Sequence, residues 1–244
     1  MVEGIADPFP VTSGLVRFRV DLADVAPERV RPEGIHATVC RWLDAVDDHH
    51  LPRKPFSVTP VFREGDGRVA FEVGVFSAGA AERMWERSRR GPVRFGPLSV
   101  PADRRRVSVV EARSWKDLCS APPARSWTFE FLTPTTFRSG SLYQPFPLPG
   151  SVFGHLRKIW NVFGPGVAEV DFGSVGLAVA AMEGRVESIV LRGRSAAGFV
   201  GWVMFQAPSA GDDAARMLSA FAQLAAFSGV GARTTFGLGV TRLR

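Results

Sequence analysis

The order in which apolar residues switch between a period of two and a period of 3.6 constrains this chain more than any other feature. Residues 14–22 (GLVRFRVDL) alternate apolar and polar side chains, as a half-buried strand does. Residues 34–46 then set Ile35, Val39, Trp42, Leu43 and Val46 at helical spacing. Residues 54–62 (KPFSVTPVF) and 68–76 (RVAFEVGVF) predict two strands around a turn at 64–67 that contains Asp66-Gly67. A second helix is predicted over 80–90, stopped by Gly91-Pro92, and an extended stretch follows from 93 to about 113. The order is β-α-β-β-α-β, the split motif of ferredoxin-like domains.

The pattern recurs after a boundary at 120–123 (SAPP). Residues 127–132 read as a strand, and 133–150 as a loop rich in Thr, Ser, Gly and Pro. Ser151 reads as the N-cap of a helix that buries Val152, Leu156, Ile159, Trp160 and Phe163. Short strands are expected over 175–181 and 186–191, and a buried one over 198–207. Asp212 is expected to cap a helix with Met217, Leu218, Phe221, Leu224 and Ala225 inward; Gly229 ends it, and a strand over 238–243 closes the chain. The expectation is an α+β chain of tandem ferredoxin-like (RRM-like) βαββαβ domains, residues 1–122 and 123–244. The duplication is one of pattern, without residue-level repetition.

A length of 244 residues allows one large domain or two small ones, and 45% hydrophobic with 22% charged residues is ordinary for a folded protein. Thirty basic against 24 acidic residues give a net charge of +6, nearly all of it arginine, whose planar fork grips phosphate at two points. Such charge is compatible with a nucleic-acid partner and does not establish one. Two cysteines, Cys40 and Cys119, make neither a disulfide framework nor a four-cysteine zinc site. The first ten residues carry no signal-peptide pattern and no apolar run is long enough for a membrane span, so a cytoplasmic location is expected.

The densest signal is residues 227–240, FSGVGARTTFGLGV. Gly229, Gly231, Gly237 and Gly239 flank Arg233, Thr234 and Thr235. Glycine permits positive φ and removes the Cβ, so a sugar-phosphate chain could lie against the main chain, with Arg233 and the two hydroxyls reaching phosphate. The plain alternative is a helix cap followed by a bulged turn. A dinucleotide fingerprint is excluded, because this loop follows a helix and opens a strand.

A glycine-rich loop between the last helix and last strand resembles the signature of the CRISPR-associated repeat-RNA endoribonucleases of the repeat-associated mysterious protein (RAMP) superfamily. Residues 131–137 (FLTPTTF) and 152–161 (VFGHLRKIWN) are similar to that family's middle segment, and residues 35–46 and 54–62 to its first helix and following strand. The resemblance implies a nuclease that cuts CRISPR repeat RNA (pre-crRNA) by attack of the RNA's own 2′-hydroxyl. The products are a 5′-hydroxyl and a 2′,3′-cyclic phosphate, with no metal and no cofactor. It further implies a histidine as acid-base catalyst and a cation to stabilise the phosphorane, and it admits a homodimer or CRISPR effector subunits as partners.

The histidines are His36, His49, His50 and His155. By resemblance the catalytic candidates are His36, near the start of the first helix, and His49 or His50, which precede the Lys54-Pro55-Phe56 strand start; Lys54 matches the family's lysine. Cys40 stands where some relatives carry a helix tyrosine, which leaves one histidine to do most of the acid-base work. His155, off the apolar stripe, is expected to reach RNA with Arg157 and Lys158. The arginines at 87, 89 and 90 and at 104–106 could form a phosphate track or simply a solvated face. Two other classes share these features: a catalytically inactive RAMP-family RNA-binding subunit, and a ferredoxin-like protein of small-molecule function.

Overall fold

The computed structural model describes residues 14–44, 53–65, 68–191 and 194–244. The first half contains β1 (Leu15–Leu22), α1 (Pro32–Leu43), β2 (Phe56–Val58), β3 (Phe62–Arg63), β4 (Val69–Val75), α2 (Ala78–Ser88), β5 (Val93–Phe95), β6 (Leu98–Val100), β7 (Arg105–Arg113) and α3 (Trp115–Cys119). Its main sheet runs β2-β4-β1-β7, with β3 on the other part of β4. Pro60 has no N–H to give a ladder, and the single strand expected over 54–62 is accordingly two. Ile35, Val39, Trp42 and Leu43 of α1 and Ala80, Ala81 and Met84 of α2 are buried with Phe18, Phe71 and Val73 of the sheet.

The second half contains β8 (Ser126–Thr135), β9 (Phe137–Ser139), β10 (Leu142–Gln144), α4 (Pro149–Phe163), β11 (Ala178–Leu191), β12 (Arg194–Gln206), α5 (Asp212–Ser228) and β13 (Thr241–Leu243). Its sheet runs β11-β12-β8-β13. Counting only the strands along each sheet's path, both sheets read second-third-first-fourth: the tandem ferredoxin-like, α+β arrangement. The two short strands expected over 175–191 are one 14-residue strand paired with β12. Its polar stretch around Glu183-Gly184-Arg185 resembles a turn but is accommodated in an exposed hairpin. Neither expected cap is one. Pro149, with φ preset for a first helical position, starts α4 after Leu148, and α5 starts after Gly211, so Ser151 and Asp212 lie inside their helices.

The halves share a core. Leu15, Phe76 and Leu118 of the first half are buried among the aromatic residues of the second, each contributing about 1.5–3 kcal/mol by burial. The end of α5 sits directly on the first sheet: the Ser57 hydroxyl donates to the Phe227 carbonyl at 2.6 Å. A Cβ on Gly74 would collide with that same carbonyl, so β4 needs a glycine there. No helix among the described residues is long and apolar enough to cross a membrane.

Candidate active site

His36 lies on α1 beside Ile35, half-buried at the seam between the halves. Its Nδ1 is 3.1 Å from the carbonyl oxygen of Thr235, 199 residues further along the chain. Its ring stacks on Phe236 at a centroid distance of 4.1 Å and an interplanar angle of 14°. Phe56, at the start of β2, closes another side at 5.8 Å. A carbonyl can only accept, so Nδ1 carries the proton and Nε2 keeps its lone pair when the ring is neutral. Nε2 faces the Cys40 sulfur at 3.7 Å. Burial pushes the imidazole below its ordinary pKa, and the positive charges of Lys54 and Arg233 push the same way; the Thr235 carbonyl and Asp44 only partly oppose them. Lys54 is held 3.4 Å from Asp44, and burial raises the Cys40 thiol.

The glycine-rich loop supplies two of these contacts, and its glycines are used differently from the expectation of open main chain. All four have positive φ: 61° at Gly229, 93° at Gly231, 88° at Gly237 and 68° at Gly239. The space a Cβ would need is already filled by protein. At Gly229 it is occupied by the Gly239 carbonyl, at Gly231 by the Thr136 carbonyl, at Gly237 by Pro60 and at Gly239 by the Val230 carbonyl. The loop is further braced by N–H bonds from Ala232 to the Thr136 carbonyl at 2.7 Å and from Gly239 to the Pro134 carbonyl at 3.2 Å. The glycines thus fold the loop tightly onto residues 134–136 and present the 3-10 turn Thr234–Phe236 to α1. Arg233, itself left-handed at φ 64°, sets its guanidinium 5.2 Å over the Phe236 ring, on which His36 also stacks. Thr235 meets His36 through its carbonyl oxygen.

His155, Arg157 and Lys158 are not an exposed trio. The Arg157 guanidinium donates to the Val170 carbonyl at 3.0 Å and lies over Phe172, which ties it to the protein. Nε2 of His155 is sealed from solvent without a hydrogen-bond partner among the described residues; only Lys158 is exposed. Residues 104–106 form neither a continuous phosphate track nor a fully solvated face. Arg105 is 9% exposed and donates to the main-chain carbonyls of Ser88 at 2.6 Å and Gly91 at 2.9 Å, so it fastens α2 to β7. His49 and His50 lie outside the described residues.

Sequence reasoning missed Phe236 and the Thr235 carbonyl, because main-chain acceptors leave no mark in a sequence and a phenylalanine in a glycine-rich loop resembles a core anchor. A cleft of about 540 Å³ opens between the halves next to the loop, lined by Arg17, Thr59 and Phe62 on one side and Thr133, Gly229 and Leu238 on the other.

The sequence model of the family described as CRISPR-associated endoribonuclease Cas6 matches residues 129–241. The solved structure of Cas6 (TTHA0078) in a product complex superposes with a TM-score of 0.77 at 26% identity, covering 94% of this chain and 99% of that one. Thermus thermophilus Cas6 (TTHB231) gives a TM-score of 0.71 at 24% identity over 96% of this chain and 100% of its own. The product of a Cas6-related gene from Pyrococcus furiosus shares the fold, with a TM-score of 0.58 at 11% identity over 95% of this chain and 99% of that one. No curated protein sequence matches. With the doubled strand order and the loop that joins the halves at His36, these likenesses give the chain the RAMP-like fold of the Cas6 structures and give its second half the sequence pattern of the CRISPR-associated endoribonuclease Cas6.

Proposed function

We propose that this chain binds CRISPR repeat RNA and cuts it without a metal, with His36 as the acid-base catalyst. The likeness to Cas6 (TTHA0078) in product and substrate-mimic complexes supports repeat RNA as the substrate. The observation that carries the chemistry is the contact between Nδ1 of His36 and the Thr235 carbonyl. It leaves Nε2 as a lone-pair acceptor on a ring whose pKa is depressed, hence neutral at physiological pH. Nε2 takes the proton of a ribose 2′-hydroxyl while that oxygen bonds to the adjacent phosphorus. The P–O5′ bond then breaks and the leaving oxygen takes up a proton, giving a 5′-hydroxyl and a 2′,3′-cyclic phosphate. An imidazolium formed beside Lys54 and Arg233 gives its proton up readily, which suits one histidine to both halves of the transfer. Lys54 and Arg233 supply positive charge for the phosphorane oxygens. In this reading residues 1–122 contribute the base and the lysine, and residues 123–244 contribute the loop that orients them.

The test is single-turnover cleavage of labelled repeat RNA in EDTA. The expected result is undiminished cutting with a cyclic-phosphate end. Binding without any product would instead assign the chain to the catalytically inactive RNA-binding class.

A further inference from the structure

A second cavity, of about 330 Å³, opens beside the same loop. Arg53, Arg138, His155 and Lys158 line it, together with the first turn of α4 at Gly150 and Ser151 and the loop at Gly231 and Ala232. Among the described residues no carboxylate lines it, and none of Arg53, Arg138 and Lys158 has an ion-pair partner. The N-terminus of α4 has no side-chain cap. A helix N-terminus carries a partial positive charge and is stabilised by anions. Three cations gathered around such an end repel it and one another, unless an anion is shared between them. Burial first, and then the charges of Arg53 and Lys158, push the His155 imidazole down to about 3, and burial lowers the Arg53 guanidinium.

We propose that this cavity holds one phosphate of the bound RNA, separate from the phosphate that is cut. The inference rests on the RNA-cleaving function proposed above and adds where the substrate is anchored. Two connections place the cavity on the same track as the candidate base. Arg53 immediately precedes Lys54. Ala232 lies three residues before Thr235, which is at most about 11 Å of chain. Phosphate contacts fix register without reading sequence, so this anchor sets which 2′-hydroxyl arrives at His36.

The test uses a repeat RNA made uncleavable by a 2′-deoxy substitution at the cut, with a neutral methylphosphonate placed at each neighbouring position in turn. In the wild-type protein one position away from the cut should weaken binding about 10-fold, the size of a lost hydrogen bond to a charged group. In Lys158→Gln and in Arg53→Gln, binding of the unmodified RNA should weaken by a similar factor, and the same methylphosphonate should then cost little. The slope of log K against log salt should also fall by about 0.7 for the lost phosphate contact. If the wild type binds and cuts repeat RNA but no position couples to either variant, the anchor is wrong and the function stands. If inorganic phosphate binds the wild type and not Lys158→Gln, again without coupling, the cavity serves a free anion and the proposal falls. A wild type that binds no repeat RNA would take both readings down.

Discussion

The two halves carry the same device put to different ends. Each opens its first helix with a proline, Pro32 in α1 and Pro149 in α4, and each sets a histidine one or two turns later. Both imidazoles are pushed below their ordinary pKa, in each case chiefly by burial. His36, however, is met by a carbonyl from the opposite half and an aromatic face, which fix its tautomer and orientation. Nε2 of His155 is enclosed with no hydrogen-bond partner among the described residues, beside cations. A depressed pKa is thus common to both sites; what makes His36 the candidate base is an oriented lone pair. That distinction rests on tertiary contacts.

Several experiments can break or sharpen it. The largest effect is expected from His36→Ala: a fall in single-turnover cleavage of about 100-fold or more, with repeat-RNA affinity kept. Wild-type cleavage by this variant would end the assignment of the base. Next is Gly239→Ala, which brings a Cβ against the Val230 carbonyl at a backbone φ of 68°. It should destabilise the protein by about 2 kcal/mol or more, visible as a lower Tm, and should reduce cleavage because the turn that holds His36 shifts with it.

A smaller effect, about 10-fold on rate, is expected from Phe236→Leu, and its signature is in the pH profile. In the proposed mechanism neutral His36 is the base, so the wild-type rate should be flat at neutral pH and fall only below the ordinary histidine value. Removing the stacked ring exposes the imidazole and relieves the burial that depresses it. The acid limb should then move to higher pH, with the loss greater at pH 6 than at pH 8. An unmoved limb would show that Phe236 does not set the environment of His36.

The smallest effect concerns His155 and is read in stability. Its folded pKa is about 3, below the roughly 6.5 of an unfolded histidine, so the unfolded chain binds a proton that the folded one does not. Stability from this residue is complete above about pH 6.5 and is lost progressively as pH falls from there toward 3. His155→Leu should flatten the Tm profile across that window; an unchanged profile would show that the ring is not held neutral.

The β-α-β-β-α-β order was legible in both halves because each element buries one face and so keeps a clean period. The apolar stripe of α1 and the stop at Gly229 followed from the same logic. The β9–β10 hairpin lay hidden in a stretch of Thr, Ser, Gly and Pro, and the length of β11 was masked by polar residues on a ladder that does not need burial. At the site, the sequence pointed to His36 and to the loop but not to their contact, since nothing local ties residue 36 to residue 235. The glycines were visible and the atoms packed against them were not. Positive φ is written in the residue type, whereas the identity of the atom filling the missing side chain's place is known only once the Thr136 and Val230 carbonyls are in position.

The bond from α1 to the Thr235 carbonyl also sets an order of events during synthesis. The imidazole leaves the ribosome early, and the turn that aims it follows some two hundred residues later. In the proposed mechanism, a chain in which that turn has not docked holds its histidine unaimed and should leave repeat RNA uncut. On that reading the loop serves as a safety catch, released only when folding is complete.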